Sequence, residues 1–432
     1  MLSSDGAGAR TALLAGALFA ALFFSAGVQM AYLPVWFAAR GLSETEIAIV
    51  LALPIAVRIF STPAISFHAD RTGQRTRVMH FLAIGALGAV VLLAVAEGFW
   101  AILGVMLLHA SLWTAVMPLS EAFAMQGVRM HGLDYGRMRL WGSLAFIAAG
   151  LVGGWLLGQF GAGSVMPMLI SAAVLLLLVT TVLVRTDKKG AADDPGDADG
   201  LSTDVSSAPN AGASTPGAVA SPISGLSEAF HLLSRPAVLL LFLSSGLGQA
   251  SHAVYYAFGT LHWQSAGIPA ALIGVLWGIG VAAEVVLFAV SRRVIARVGA
   301  LVLLIVGVSA GLLRWPLMAA DLPFAALVAI QLLHGATFGA THLAAMHLIA
   351  DMAGDRLSAT AQGVHNTLAA GLFMAGSIMV AGLLYRAFDG AAYLGMAVVS
   401  AVALIFAVLL ARTLSVASAD GAAQPHSAGE GG

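Results

Sequence analysis

The stretch ADRTGQRTRV, residues 69–78, sets one acid and three arginines in ten positions, between two runs that hold scarcely any charge. Charge that dense is costly in hydrocarbon, so the stretch reads as a loop joining two membrane helices. A second basic stretch, SRRVIARVG at 291–299, interrupts the apolar sequence at the matching place in the second half. The loops join helices two and three and helices eight and nine, which predicts two parallel six-helix repeats around a midplane site. Asp70, Gly73 and Arg75 are the candidate gating residues of the first loop. A plainer reading makes both loops orientation signals only. It suits the second copy better, since that copy lacks the acid and the first glycine.

The composition agrees. Of 432 residues, 59% are hydrophobic and 9% charged, against roughly a quarter charged in a soluble globule. The expected fold is an all-α integral membrane protein whose surface meets lipid. A formal net charge of -1 gives no sign of nucleic-acid binding, and the absence of cysteine excludes disulfides, haem attachment and thiolate metal sites. No cofactor, metal or catalytic group is expected, and no partner subunit: the expected species is a monomer.

A bilayer core of about 30 Å takes roughly 20 apolar residues per helix, and twelve such runs fit. They lie near 12–37, 46–67, 79–96, 100–125, 139–160 and 165–184, then near 237–262, 270–290, 300–318, 323–350, 360–385 and 391–411. The first is too long for the apolar segment of a signal peptide. Between the sixth and seventh runs, DKKGAADDPGDADGLSTDVSSAPNAGASTPGAVASP has no apolar face to bury and reads as a flexible linker. The predicted organisation is a six-helix bundle at 1–185, a linker at 186–235, a second bundle at 236–412 and a disordered tail at 413–432. Of the 20 Lys and Arg residues, only Arg40 and Arg386 fall in loops on one side, and Arg58, Arg139 and Arg314 lie within or at the edge of helices. The remainder mark the cytoplasmic side, which therefore holds both termini and the linker.

An ionisable group at the centre of a membrane helix costs about 2.5 to 3.5 kcal/mol, so each one needs a reason. SAGLLRWPLM at 309–318 places Arg314 about 22 Å into helix nine. It either snorkels outward beside Asp321 or is held by protein. His334 on helix ten falls about 18 Å down, and Glu284 on helix eight about 24 Å down from the outer face. Gln331, His334, Thr337 and Thr341 share one side of helix ten and would line a cavity, or else bond to neighbouring helices. Burial favours the neutral form of a carboxylic acid and a nearby cation favours its anion. Glu284 is therefore the candidate proton carrier, with Arg314 and His334 as its coupling partners.

In the first half, Glu121 in PLSEAFAMQ and Arg139 in YGRMRLWGS approach one interface, where a structural salt bridge is the simple alternative to a ligand site. Arg58, about 20 Å from the outer face with no acid nearby in sequence, suits an anionic ligand. On helix seven, GLGQASHAVYYAFG sets Gln249, His252 and Tyr256 on one face with Tyr255 adjoining. That set suits a ligand with both a ring and polar groups.

PLSEAF followed by YGRMRLWGS is similar, in motif and spacing, to the major facilitator branch that contains lactose permease. QLLHGATFGATHLAAMH, AEVVLF, SHAVYYAFGTLHWQSAG, RLWGS and the helix-two Arg58 more closely resemble the phenylpropionate permease family. The resemblance covers nearly the whole chain apart from the linker and tails. It implies that Glu121 and Arg139 bind substrate and that Arg314 and His334 belong to a proton-coupling group. It also implies proton symport of a 3-phenylpropionate-like acid across a bacterial inner membrane. The sequence departs from lactose permease at Thr337 and Gln331, which stand where a coupling acid and a lysine are expected. Glu284 matches the helix-eight acid only to within about a turn, so the proton step is expected to be rebuilt around it.

The competing expectations are symport of a neutral sugar or nucleoside held by Glu121 and Arg139, proton-coupled drug efflux, and a ligand sensor on a transporter scaffold. The chain has no HExxH, and its GVSAG at 307–311 lies inside an apolar membrane run and not at a strand-to-helix turn, so an intramembrane hydrolase lacks its apparatus.

Overall fold

The computed structural model describes residues 2–193 and 233–423. Most of the predicted linker and the end of the predicted tail lie outside the described residues. Among these, the regular elements are all helical. They are α1 (Leu2–Ala39), α2 (Glu44–Thr72), α3 (Arg75–Val95), α4 (Gly98–Trp113), α5 (Val116–His131), α6 (Tyr135–Phe160), α7 (Val165–Asp193), α8 (Pro236–Ala250), α9 (Ala253–Ser265), α10 (Ala270–Ala289), α11 (Ser291–Val298), α12 (Ala300–Met318), α13 (Phe324–Leu332), α14 (Thr341–Asn366), α15 (Met374–Phe388) and α16 (Ala392–Ala423). The helices α7 and α16 run past their predicted ends at 185 and 412.

Ten stretches among the described residues are long and apolar enough to cross a membrane. Two of them, Tyr135–Thr186 and Thr360–Val416, have 52 and 57 residues, more than twice what about 30 Å of hydrocarbon needs at a 1.5 Å rise. Each is interrupted by a 3₁₀ turn, at Gly161–Ser164 and at Asp389–Ala391. Taking those two as double crossings gives the twelve helices expected. Large apolar side chains such as Leu13, Phe81 and Trp100 stay exposed, as a lipid-facing surface requires.

Two predicted helices are broken, and the sequence says why. Pro118 has no N–H to return to the carbonyl of Thr114, and the predicted fourth helix divides there into α4 and α5. In the predicted seventh, Ser251 turns its hydroxyl onto the Gly248 carbonyl at 2.7 Å, and α8 gives way to α9 at His252. Two π-helical segments, Gly335–Ala340 and Thr367–Phe373, widen the tenth and eleventh helices.

The two loops that open the sequence reading fold differently. In the first, Gly73 takes φ of +66°, which suits a residue without a Cβ. That turn brings Arg75 Nε to 2.7 Å from Asp70 Oδ1. The second, lacking the acid and the first glycine, stays helical as α11.

By contact the chain divides into two compact units, Met1–Gly41 with Val57–Gly225, and Leu42–Ala56 with Leu226–Gly432. The predicted boundaries put all of helix two in the first bundle, whereas the start of α2 groups with the second unit. Gly382 allows this, because a Cβ there would run into the Ala48 side chain. Unit one is built on Leu18, Leu22, Met79, Leu119, Leu176 and Leu183. Unit two is built on Leu241, Phe242, Leu304, Val308, Ala344 and Leu410.

Candidate functional site

Arg314 is fully buried on α12, at 0% exposure, and does not snorkel. Its guanidinium fills the space that the polar stripe of helix ten would otherwise line. Nη1 donates to His334 Nδ1 at 2.8 Å and to Thr337 Oγ1 at 2.8 Å, and Nη2 donates to Gln331 Oε1 at 3.1 Å. The cation also lies over the rings of Tyr255 and Trp315, 4.9 and 4.7 Å from their centroids. Tyr255 hydroxyl adds a bond to Gln331 Oε1 at 3.2 Å.

On its far side, His334 places Nε2 at 2.8 Å from Glu284 Oε1. A guanidinium only donates, so His334 Nδ1 accepts and Nε2 carries the hydrogen. That hydrogen is donated to the Glu284 carboxylate. The imidazole is therefore neutral here, and a second proton on it would point at the guanidinium. The result is one line of donors and acceptors, Arg314 to His334 to Glu284, which carries no net charge when Glu284 is ionised.

The same logic reaches His252. Its Nδ1 lies 3.0 Å from the Gln249 carbonyl, so Nδ1 donates and Nε2 accepts from Thr337 Oγ1 at 3.1 Å. Thr337, which replaces the acid expected one turn after His334, thus accepts from Arg314 and donates to His252. The break before α9 makes this possible by turning the His252 ring back onto the Gln249 carbonyl.

Small residues set these distances. A Cβ on Gly335 would meet the Ala283 carbonyl at 3.1 Å, and one on Gly307 would run into Thr341 Oγ1 and meet the Ala336 carbonyl at 3.1 Å. Glycine at both positions lets the π segment lie directly against α10 and α12. Glu284 and Arg314 then reach His334 from opposite sides.

The other predicted residues have different surroundings. Gln249 donates to the Phe338 carbonyl at 3.2 Å, and its Oε1 is buried without a partner. His252 and Tyr255 are fully buried, and Tyr256, half-buried, stacks on His252 at 5.5 Å. Glu121 and Arg139 make no ion pair among the described residues. Arg139 lies instead over the ring of Phe23, 3.9 Å from its centroid. Arg58 is half-buried on α2 within the first unit. Trp315 and Trp277 belong to the site although the sequence reading did not single them out. Trp315 donates to Ser251 and Ser400 at 3.2 and 3.0 Å, and Trp277 stacks on Tyr255 at 4.4 Å. The available signal was a tryptophan directly beside an intramembrane arginine.

This fold is that of a major facilitator transporter. The crystal structure of the nucleoside transporter NupG matches it with a TM-score of 0.76 at 17% identity, over 93% of this chain and 98% of that one. The chain belongs to the MFS_1 like family, whose model matches residues 13–394. It is 29% identical over 389 residues to the probable 3-phenylpropionic acid transporter of Escherichia coli (strain K12), covering 89% of this chain and 92% of that protein. It is 28% identical over 405 residues to the maltose permease of Geobacillus stearothermophilus, covering 90% and 92%. The protein is a multi-pass membrane transporter of a small molecule, in a family of transporters and not of enzymes.

Proposed function

We propose that the protein imports a small aromatic carboxylate such as 3-phenylpropionate together with a proton, by alternating access. In this reading it sits in a bacterial inner membrane with both termini in the cytoplasm. The proton gradient drives it and no cofactor takes part. The observation that carries the proposal is the buried line from Arg314 through His334 to Glu284. With Glu284 ionised, the cluster is neutral. A proton on Glu284 weakens the acceptor of the His334 hydrogen and leaves Arg314 as the only charge in an apolar surround. An uncompensated buried cation is costly, and an arriving anion offsets that cost, so proton and anion are stabilised together. Arg58 or Arg139 would hold the carboxylate. The likeness to the 3-phenylpropionic acid transporter supports the substrate class.

A second reading, proton symport of a neutral sugar, is favoured by the likeness to the maltose permease and would use Glu121 and Arg139 for hydroxyl groups. Transport current separates the two. A monovalent anion with one proton moves no net charge, whereas a neutral solute with one proton gains about 2.3 kcal/mol per 100 mV. The test is uptake of labelled 3-phenylpropionate into proteoliposomes under a pH gradient, with current recorded in parallel. Uptake without current is expected. Current on adding maltose, with no 3-phenylpropionate uptake, overturns the aromatic-acid reading.

A further inference from the structure

We propose that α11 and the apolar ridge beside it form a binding site for the headgroup and one chain of an anionic phospholipid. Arg292, Arg293 and Arg297 are all exposed on this short helix, while Val294 and Ile295 turn inward onto the core of the second unit. None of the three guanidiniums has an ion pair or a side-chain hydrogen bond among the described residues. The matching loop of the first half behaves differently, because there Asp70 neutralises Arg75 at 2.7 Å. The second loop lacks that acid, so its three arginines have no ion-pair partner among the described residues.

Their location specifies the partner. The helix joins the ends of two membrane-crossing helices, and just beyond it Val302 and Val306 stand exposed four apart on one face of α12. A soluble anion or an acidic peptide uses the guanidiniums alone. A phospholipid uses both parts, its phosphodiester on the arginines and an acyl chain along the valines. A zwitterionic headgroup brings an ammonium that the arginines repel, so a lipid with net negative charge, such as phosphatidylglycerol, fits the site.

The test uses the purified full-length transporter and counts bound phosphatidylglycerol and phosphatidylcholine by native mass spectrometry. Wild type is expected to prefer phosphatidylglycerol about tenfold or more, and the preference to fall with added salt. The triple variant Arg292→Gln, Arg293→Gln, Arg297→Gln is expected to lose the preference, and the triple Arg→Lys variant to keep most of it. Arg71→Gln with Arg77→Gln in the first loop serves as the control and is expected to leave the preference unchanged. If the triple Gln variant does not insert, Arg297→Gln alone is expected to lower the preference by a few fold. A preference that survives the triple Gln substitution, or one abolished equally by inorganic phosphate, overturns the proposal.

Discussion

The two halves share a helical plan and treat their buried charges in opposite ways. In the second, Gln331, His334 and Thr337 close around Arg314, and Glu284 completes the line. In the first, Glu121 and Arg139 make no ion pair among the described residues, and Arg139 rests on an aromatic ring. Repetition of a fold therefore does not repeat its chemistry. One half binds Arg314, His334 and Glu284 into one hydrogen-bonded line. The other leaves Glu121 and Arg139 without an ion pair among the described residues, with Arg139 over the Phe23 ring.

The sharpest way to break this contrast is to remove Arg314. Arg314→Ala leaves His334 Nδ1 and Thr337 Oγ1 without that donor and Glu284 without its cation. It is expected to destabilise by about 3 to 5 kcal/mol, read as a large fall in thermal unfolding temperature in detergent. Glu284→Gln conserves shape and removes the titrating group. Gradient-driven accumulation is expected to fall about a hundredfold or more while equilibrium exchange persists, and accumulation that survives would remove Glu284 from the proton step. Gly307→Val drives a side chain into Thr341 and the π segment. A cost of about 1 to 3 kcal/mol is expected, with gradient-driven uptake falling because His334 is displaced from Arg314. The smallest effect belongs to the first half: Arg139→Ala is expected to cost only about 1 kcal/mol of stability, while the apparent substrate KM rises. A stability loss as large as that of Arg314→Ala would show that the two halves are wired alike after all.

Much of the fold was legible because hydropathy, loop charge and a repeated loop all act through local sequence. The breaks were less so, although Pro118 and the Gly246, Gly248 and Ser251 cluster mark them once the structure is known. Within the site, depth counting placed His334 between Arg314 and Glu284, and the structure bonds it to both. The same counting could not show that the polar stripe encloses a guanidinium instead of an open cavity. Nor could it show that His252 and Tyr255 turn inward and leave Tyr256 as the half-buried ring. The tether and the extreme tail lie outside the described residues.

The sequence by itself determined that this chain lives in a membrane, that it has two helical halves, and which few ionisable residues must be explained. Those facts follow from transfer energies, which each residue carries wherever it is placed. Only the tertiary structure decided which charges meet. That depends on helix rotation, on close backbone approaches at Gly307 and Gly335, and on a π turn after His334. No single residue carries those in its own chemistry.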